Sequence, residues 1–279
     1  MGHRVHPALR PFVASAVGYR QEGLPPGLHR GLPSPHLTLV LTLDEPLVMA
    51  AHPDPRQAPG SYDALLGGLH TRPALISHAG RQAGVQLALT PLGCRALLGV
   101  PAAELASRDC PAGDVLGRDA RELVERLRAA PDWAGRFAAV EWVLARRARR
   151  DTAIAPEVAE AWRLTTAGGG RLRVADLAAR VGWSARHLGA RFRTETGLTP
   201  KEAARVVRFD RARRALAARV TRGGAPDLAA LAVAAGFADQ AHLTREWREF
   251  SGLAPTRWLA AEVAFVQDGT AAGAGGSPA

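Results

Sequence analysis

Cysteine is scarce in this sequence. The chain has 279 residues but only two cysteines, Cys94 and Cys110. Two are too few for a disulfide framework in a chain of this length, and their spacing is not that of a zinc site. We therefore expect a protein of the reducing cytoplasm that carries no metal or other cofactor.

Lysine is scarcer still: Lys201 is the single lysine, whereas the chain contains 35 arginines. The formal net charge is +10 at pH 7, and such a charge favours binding to phosphates and other anionic surfaces. The replacement of lysine by arginine throughout a chain is also typical of a GC-rich genome. Charge alone is therefore a weak indicator of function.

Long apolar runs are missing as well. No window approaches the ~18 apolar residues of a membrane helix, and the N-terminal residues contain no apolar stretch of signal-peptide length. We expect no contact with a membrane. Hydrophobic residues make up 47% and charged residues 22% of the chain, a composition typical of globular proteins. The length predicts two domains.

Residues 1 to about 115 combine frequent Pro and Gly with short apolar runs, a pattern that predicts strands. The predicted strands are Leu37–Leu43, Leu47–Met49, Ala74–Ile76 and Val85–Leu89. In the first of them, leucine alternates with Thr and Val, which suits a strand with one face on the core and the other partly in water. The region is predicted to form a small antiparallel β-barrel or sandwich.

Helical spacing begins after this region. Helices are predicted over Ala120–Ala130 and Trp133–Arg150, the second with Trp142 in its apolar stripe. Asp151–Pro156 is predicted as a linker, since proline can open the next helix. Every later periodic segment is helical, so the predicted class is α+β. The predicted domains are residues 1–150 and 157–262, followed by a Gly- and Ala-rich, disordered tail over residues 268–279.

The C-terminal half contains an internal repeat, in which Asp176–Pro200 resembles Ala230–Pro255. The matched positions are Leu177 and Leu231, Gly182 and Gly236, Trp183 and Phe237, Leu188 and Leu243, Phe192 and Trp247, Gly197 and Gly252, and Pro200 and Pro255. The first three pairs are 54 residues apart and the others 55, so one residue is inserted after the turn. Two copies at this spacing do not indicate a solenoid.

Each copy has the pattern of a helix-turn-helix unit: an Ala-rich helix, a glycine that reverses the chain, and a second helix that begins at a capping residue. Gly182 and Gly236 would supply the left-handed turn, and Ser184 and Asp239 the caps. The side chains predicted to face the core are Trp183, Leu188 and Phe192 in the first copy and Phe237, Leu243 and Trp247 in the second.

The opposite face of each second helix is left to solvent. The residues predicted to face outward are Ala185, Arg186, Gly189, Ala190 and Arg193 in the first copy and Gln240, Ala241, Thr244, Arg245 and Arg248 in the second. Arginine can donate two hydrogen bonds to guanine and glutamine can pair with adenine, so a major-groove reader needs these residue types. A long helix predicted over Val206–Ala218 would space the two readers for successive major grooves, ~34 Å apart.

Charge is concentrated in the same region. Residues 157–262 carry 18 basic and 11 acidic residues, a balance of +7, against +4 for the residues before them. The excess of positive charge therefore coincides with the repeat, as expected of a domain that binds double-stranded DNA.

The region from about Val158 to Leu259 resembles the DNA-binding domain of the AraC/XylS family of bacterial transcription regulators. The likeness is carried by the second copy, in Gly236-Phe-Ala-Asp-Gln-Ala-His-Leu-Thr-Arg-Glu-Trp and Gly252-Leu-Ala-Pro-Thr-Arg-Trp. It implies an all-α domain of two helix-turn-helix units joined by a long helix. It also implies a regulator, not an enzyme, with sequence-specific DNA binding.

By position, the resemblance implies that bases are contacted by Ala185, Arg186, Gly189 and Ala190 of the first copy and by Gln240, Ala241 and Arg245 of the second. The predicted DNA-binding residues are Ser184, Ala185, Arg186, Arg191, Arg193, Gln240, Ala241, Arg245 and Arg248. The first copy departs from the family pattern, because Gly189 and Ala190 stand where polar residues are usual and a glycine costs ~1 kcal/mol in a helix. Specificity is therefore expected to depend on Gln240 and Arg245, with Arg186 as the main reader of the first copy.

For residues 1–150 the resemblance implies a domain that senses a small-molecule effector or forms a homodimer. An activator would in addition contact RNA polymerase. Two other functions stay open: a DNA-alkylation repair protein that uses Cys94 or Cys110 as acceptor, and a non-specific DNA-binding protein. Histidines 36, 52, 70 and 78 lack the spacing of a metal-binding barrel and are expected mostly in turns or at the surface.

Overall fold

The computed structural model describes residues 1–149 and 154–262. It confirms the α+β class, with antiparallel sheets and helices in the N-terminal part and helices alone in the C-terminal part. The predicted tail lies outside the described residues, as do the first three residues of the predicted linker.

Two antiparallel sheets form the N-terminal domain. The six-stranded sheet has the order β1-β2-β9-β4-β7-β10 and the four-stranded sheet the order β3-β8-β5-β6. The strands are β1 Gly2–His3, β2 Val13–Gln21, β3 Gly27–Gly31, β4 Leu37–Thr42, β5 Leu47–Ala51, β6 Gly60–Tyr62, β7 Ala64–Gly67, β8 Ala74–His78, β9 Gln82–Leu89 and β10 Asp109–Pro111.

Strand β4 lies in the middle of the larger sheet and is buried on both faces. Leu37, Leu39 and Leu41 are fully buried in the main core. Val40 is buried too, in a second cluster that includes Met49 of the smaller sheet. The face predicted to be partly wet is therefore covered, because the second sheet packs against it.

Strand β2 was not predicted, although it is the longest strand and pairs with β9 along its whole length. Its sequence lacks an apolar run, because several of its residues are small. These small residues allow a helix to pack close to the strand. A Cβ added at Gly18 would lie 2.5 Å from ring atoms of Trp133. The glycine therefore serves the packing of a helix on the sheet.

Short helical segments and two longer helices complete this domain. They are α1 Pro91–Gly93, a five-residue helical turn over Cys94–Leu98, a 3-10 turn over Ala102–Leu105, α2 Gly113–Leu116, α3 Arg118–Ala129 and α4 Trp133–Arg147. Helix α4 ends three residues before the predicted end. Trp142 is 47% exposed, so its predicted place in the buried stripe is wrong. Its ring lies between the guanidinium groups of Arg126 and Arg146, at 4.2 and 4.5 Å from the ring centre.

The C-terminal domain is helical throughout its described part. Its helices are α5 Pro156–Ala167, α6 Val174–Arg180, α7 Ala185–Thr196, α8 Pro200–Thr221, α9 Leu228–Ala235 and α10 Gln240–Ser251, and residues 255–262 form a further helix. Helix α8 begins earlier than predicted, because Thr199 and Glu202 form a capping box around Pro200. None of the described helices is long and apolar enough to cross a membrane.

Candidate nucleic-acid interface

The repeat folds as two helix-turn-helix units, α6 with α7 and α9 with α10. Gly182 and Gly236 end the first helix of each unit with φ of 74° and 89°, in the left-handed region that glycine adopts freely. The Ser184 hydroxyl accepts the amide of His187 at 3.2 Å, and the Asp239 carboxylate accepts the amide of His242 at 2.6 Å. Both predicted caps are therefore present.

The predicted inner faces of the two units are buried, except that Trp183 is only partly buried. Leu188 and Phe192 of α7 and Leu243 and Trp247 of α10 have no exposed surface. The second unit is held on α8 by Phe209, whose ring centre lies 5.3 Å from that of Trp247. With their inner faces fixed, each helix presents one defined outer face to solvent.

The outer face of α10 is exposed and bears a shallow depression. It forms an open groove of about 470 Å³ lined by Gln240, Ala241, Thr244, Arg245 and Arg248. These are the five residues predicted to face outward in the second copy. The structure thus brings two arginines and a glutamine together in one groove on one helix.

The same helix borders a second open groove of about 340 Å³, which runs from Arg248 to Arg257. Arg257 was not predicted as a binding residue, although it belongs to the motif that carries the family resemblance. Its exposed side chain, beside the end of the first groove, extends the basic surface beyond the recognition helix.

The outer face of α7 is smoother. Ala185, Arg186, Arg191 and Arg193 are exposed, as predicted. Between them, Gly189 leaves a flat stretch of helix, because a Cβ added there would meet no atom within 4 Å. The outer face of α7 therefore carries arginines around a central surface that lacks polar side chains.

The arginines of the two recognition helices differ in their partners from three arginines of α8. In the described part of the chain, the outward-facing arginines of α7 and α10 form no ion pair: Arg186, Arg191, Arg193, Arg245 and Arg248. Inside the domain, Arg205 of α8 binds Glu246 at 2.8 Å, and Arg213 and Arg214 bind Asp210 at 2.6 and 2.8 Å. Uncompensated positive charge is therefore displayed on the two recognition helices.

The glutamate and aspartate that neutralise α8 were missed by the sequence reasoning. Only the spacing of Asp210 from Arg213 and Arg214, three and four residues along one helix, could have indicated these pairs. Arg205 and Glu246 lie on different helices, so their contact depends on the tertiary fold.

Of the four histidines predicted mostly in turns or at the surface, His36, His52 and His70 lie outside the strands, whereas His52 and His78 are buried. His52 is buried and its Nδ1 lies 2.8 Å from an Asp109 carboxylate oxygen. Burial lowers the pKa of His36 to about 4. Among the described residues no group of three or more His, Cys, Asp or Glu side chains could hold a metal ion.

Neither cysteine is activated. Cys94 is fully buried, and burial raises the pKa of its thiol to about 12, against a smaller lowering by Arg95. Cys110 is half-buried and its pKa is also raised by burial. A thiol becomes a good nucleophile when its pKa falls, so both environments oppose alkyl transfer.

A family model described as a helix-turn-helix domain matches residues 177–261. No curated protein matches the chain. Among solved structures, an apo variant of ToxT from Vibrio cholerae strain SCE256 superposes with a TM-score of 0.51 at 10% identity, over 88% of this chain and 97% of that chain. At this identity the likeness shows a shared fold, which includes both domains.

Two further structures are similar. Wild-type ToxT from the same strain, with an unsaturated fatty acid bound, has a TM-score of 0.47 at 11% identity, over 88% of this chain and 94% of that chain. A transcriptional regulator from Chromobacterium violaceum, of the group with AraC-type DNA-binding domains, has a TM-score of 0.33 at 25% identity, over 38% of this chain and 90% of that chain.

Proposed function

We propose that the chain is a sequence-specific transcription regulator, whose helix-turn-helix domain is of the AraC type. Its recognition helices α7 and α10 would enter successive major grooves of double-stranded DNA. The observation that carries the proposal is the groove on α10, where Gln240 and Arg245 project beside each other. Neither side chain is engaged within the described part of the chain, so both are free to bind base edges.

The length of α8 supports the spacing of the two helices. Its 22 residues, at ~1.5 Å each, span ~33 Å. One turn of DNA separates successive major grooves by ~34 Å. A helix of this length can join two readers on one face of the duplex, with α10 packed against its first half at Arg205 and Phe209.

The roles follow from the chemistry of each side chain. Arg245 suits a guanine and Gln240 an adenine, while Arg186 would be the main reader of the first unit. The small Ala185 and Ala241 permit close contact with the groove wall or a thymine methyl group. Residues assigned to the phosphate backbone are Arg191, Arg193, Arg248 and Arg257. Ser184 acts as the helix cap, since its hydroxyl accepts a backbone amide.

For residues 1–150 we propose control of DNA binding, through a small-molecule effector or a homodimer, and for residues 157–262 the binding itself. In an activator, the bound protein would also contact RNA polymerase. Alkyl transfer is a weaker candidate, because no thiol in the chain has a lowered pKa.

A competition experiment tests the function. Purified protein is bound at about 150 mM salt to labelled DNA from upstream of its own gene, with either the same DNA or random duplex as competitor. We expect the specific duplex to compete better, by ~10³-fold or more for a specific regulator. Equal competition would contradict specific regulation and would support a non-specific DNA-binding protein.

Arg245→Ala tests the assigned reader. Loss of a bidentate base contact should weaken specific binding by ~1 to 3 kcal/mol and relax the preference at one base pair. Arg81→Ala is the matched control, since Arg81 pairs with Glu45 in the N-terminal domain. Equal weakening on all sequences would make Arg245 a phosphate contact.

A further inference from the structure

The two helix-turn-helix units can be compared position by position, which shows where the N-terminal domain acts on one of them. At the offset of 55, Glu195 of α7 corresponds to Phe250 of α10. Phe250 is fully buried and its ring centre lies 5.0 Å from that of Phe209. A glutamate at the matching position cannot fill an apolar core, so the first unit needs another partner there.

That partner comes from the N-terminal domain. Glu195 is 9% exposed, and its carboxylate accepts both Nη2 and Nε of Arg95 at 2.9 to 3.2 Å. Arg95 belongs to the helical turn over Cys94–Leu98. Planar pairing of guanidinium and carboxylate fixes orientation as well as distance. The last turn of α7 is therefore held in place by a residue of the N-terminal domain.

A second difference lies two residues further on. Gly197 and Gly252 end the two recognition helices with φ of 78° and 75°. A Cβ added at Gly197 would lie 2.3 Å from the Cβ of Ala106 and 3.2 Å from the Cα of Ala103. At Gly252 it would meet nothing within 4 Å. The same turn is thus packed against the N-terminal domain in one unit and open in the other.

Resting on the proposed function, we propose that Arg95 and Glu195 are positioning residues that set the orientation of the first recognition helix from the N-terminal domain. The contact lies at the C-terminal end of α7, whereas Arg186 lies at its other end. DNA can therefore bind while the domains are docked. A change in the N-terminal domain reaches α7 directly through this ion pair. The N-terminal domain also meets the second unit, where Glu262 accepts the amide and Nη1 of Arg30 at 3.1 and 3.2 Å, but this contact lies outside α10. Helix α10 itself is placed by the packing of Phe250 on Phe209 of α8.

The test uses the full-length protein and three duplexes: one with both half-sites, and two in which one half-site is scrambled. We expect Arg95→Ala to reduce the discrimination at the half-site of α7 by about tenfold, within the usual range for coupled sites. Discrimination at the half-site of α10 should be unchanged. The charge exchange R95E with E195R should restore binding, and Arg81→Ala should leave both half-sites as in the unmodified protein.

Equal loss at both half-sites, or no loss at either, would overturn the proposal. Amide hydrogen exchange without DNA tests the positioning role independently of the proposed function. In Arg95→Ala, peptides from α7 should exchange about tenfold faster while those from α10 stay as protected as before. Unchanged protection of α7 would overturn the positioning role even if specific DNA binding is found. Selective loss of protection in α7 would support the positioning role even if the protein does not bind DNA specifically.

Discussion

Gly189 and Gly182 should respond in opposite ways to the same added methyl group. A Cβ at either position would meet no atom within 4 Å, so neither change creates a steric clash. The difference lies in the backbone. Gly189 lies inside α7 with ordinary helical geometry, whereas Gly182 has φ of +74° at the turn before it.

The expected magnitudes follow from that difference. Gly189→Ala removes a mid-helix glycine and should raise the free energy of unfolding by ~1 kcal/mol. Gly182→Ala forces a side chain into the left-handed region at ~1 to 2 kcal/mol, partly offset by ~0.4 to 1 kcal/mol from the less flexible unfolded chain. The two variants should therefore differ by roughly 1 to 2.6 kcal/mol.

Guanidinium denaturation of both variants and the unmodified protein measures this difference. At unchanged slope, the midpoint should rise for Gly189→Ala and fall for Gly182→Ala. If Gly189→Ala lowers the midpoint, then the added methyl group meets an atom that the structure places elsewhere. In that case the outer face of α7 is not open.

The same variant reports on DNA binding. Gly189 corresponds to Thr244, which lines the groove of the second unit. A glycine that weakens its own helix is explained if the backbone there must approach a ligand closely. We therefore expect Gly189→Ala to lower the affinity for specific DNA although it stabilises the fold. Unchanged or higher affinity would refute close approach of this helix to the duplex.

Three further predictions concern the N-terminal domain. Burial lowers the pKa of His36 to about 4, against an opposing effect of Asp210. The unfolded chain, with a histidine pKa of ~6.5, thus binds more protons between about pH 6.5 and 4. Stability should fall as the pH is lowered through that window, and His36→Gln should flatten the dependence of the denaturation midpoint on pH. Burial also raises the pKa of Cys94 to about 12, so mass spectrometry should find it unmodified by a thiol reagent at pH 8 until the chain unfolds; labelling in the native state would contradict its burial. Trp142→Ala should cost only ~1 kcal/mol, the value of exposed cation–π contacts, whereas Phe137→Ala in the core of the same helix should cost ~3 to 5 kcal/mol by denaturation. Equal costs would contradict the exposure of Trp142.

The helix-turn-helix units could be predicted from the sequence because their determinants are local. Caps such as Ser184 and turn glycines such as Gly236 act within a few residues, so their spacing alone indicates the structure. Strand β2 shows the opposite case. Its small residues, Gly18 among them, are explained by Trp133, which comes from a helix more than a hundred positions along the chain.

Trp142 shows the limit of periodicity within one element. It follows the buried stripe closely enough to fit a helical pattern, yet its ring rests between Arg126 and Arg146 at the surface. An aromatic ring can gain favourable contacts from cations as well as from a core. Spacing does not distinguish these two environments, since both place the residue on a helix face.

The formal charge of the C-terminal region overstates what DNA would meet. Arg205, Arg213 and Arg214 add to the count, but their charges are neutralised by acids of the same domain. The arginines of α7 and α10 have no such partner in the described chain. The paired arginines of α8 therefore contribute less positive potential than the sequence count indicates.

The repeat also shows why the sequence predicts the second unit better than the first. Matching positions gave Glu195 a core aromatic as its counterpart, but the sequence offered no reason for a carboxylate there. Its partner, Arg95, lies 100 residues earlier in the chain, beyond any local pattern. Because the two copies share one motif and one fold, each can be compared with the other position by position. Where the copies differ at a buried position, the cause lies outside the motif, and here it lies in the domain that would control the binding of DNA.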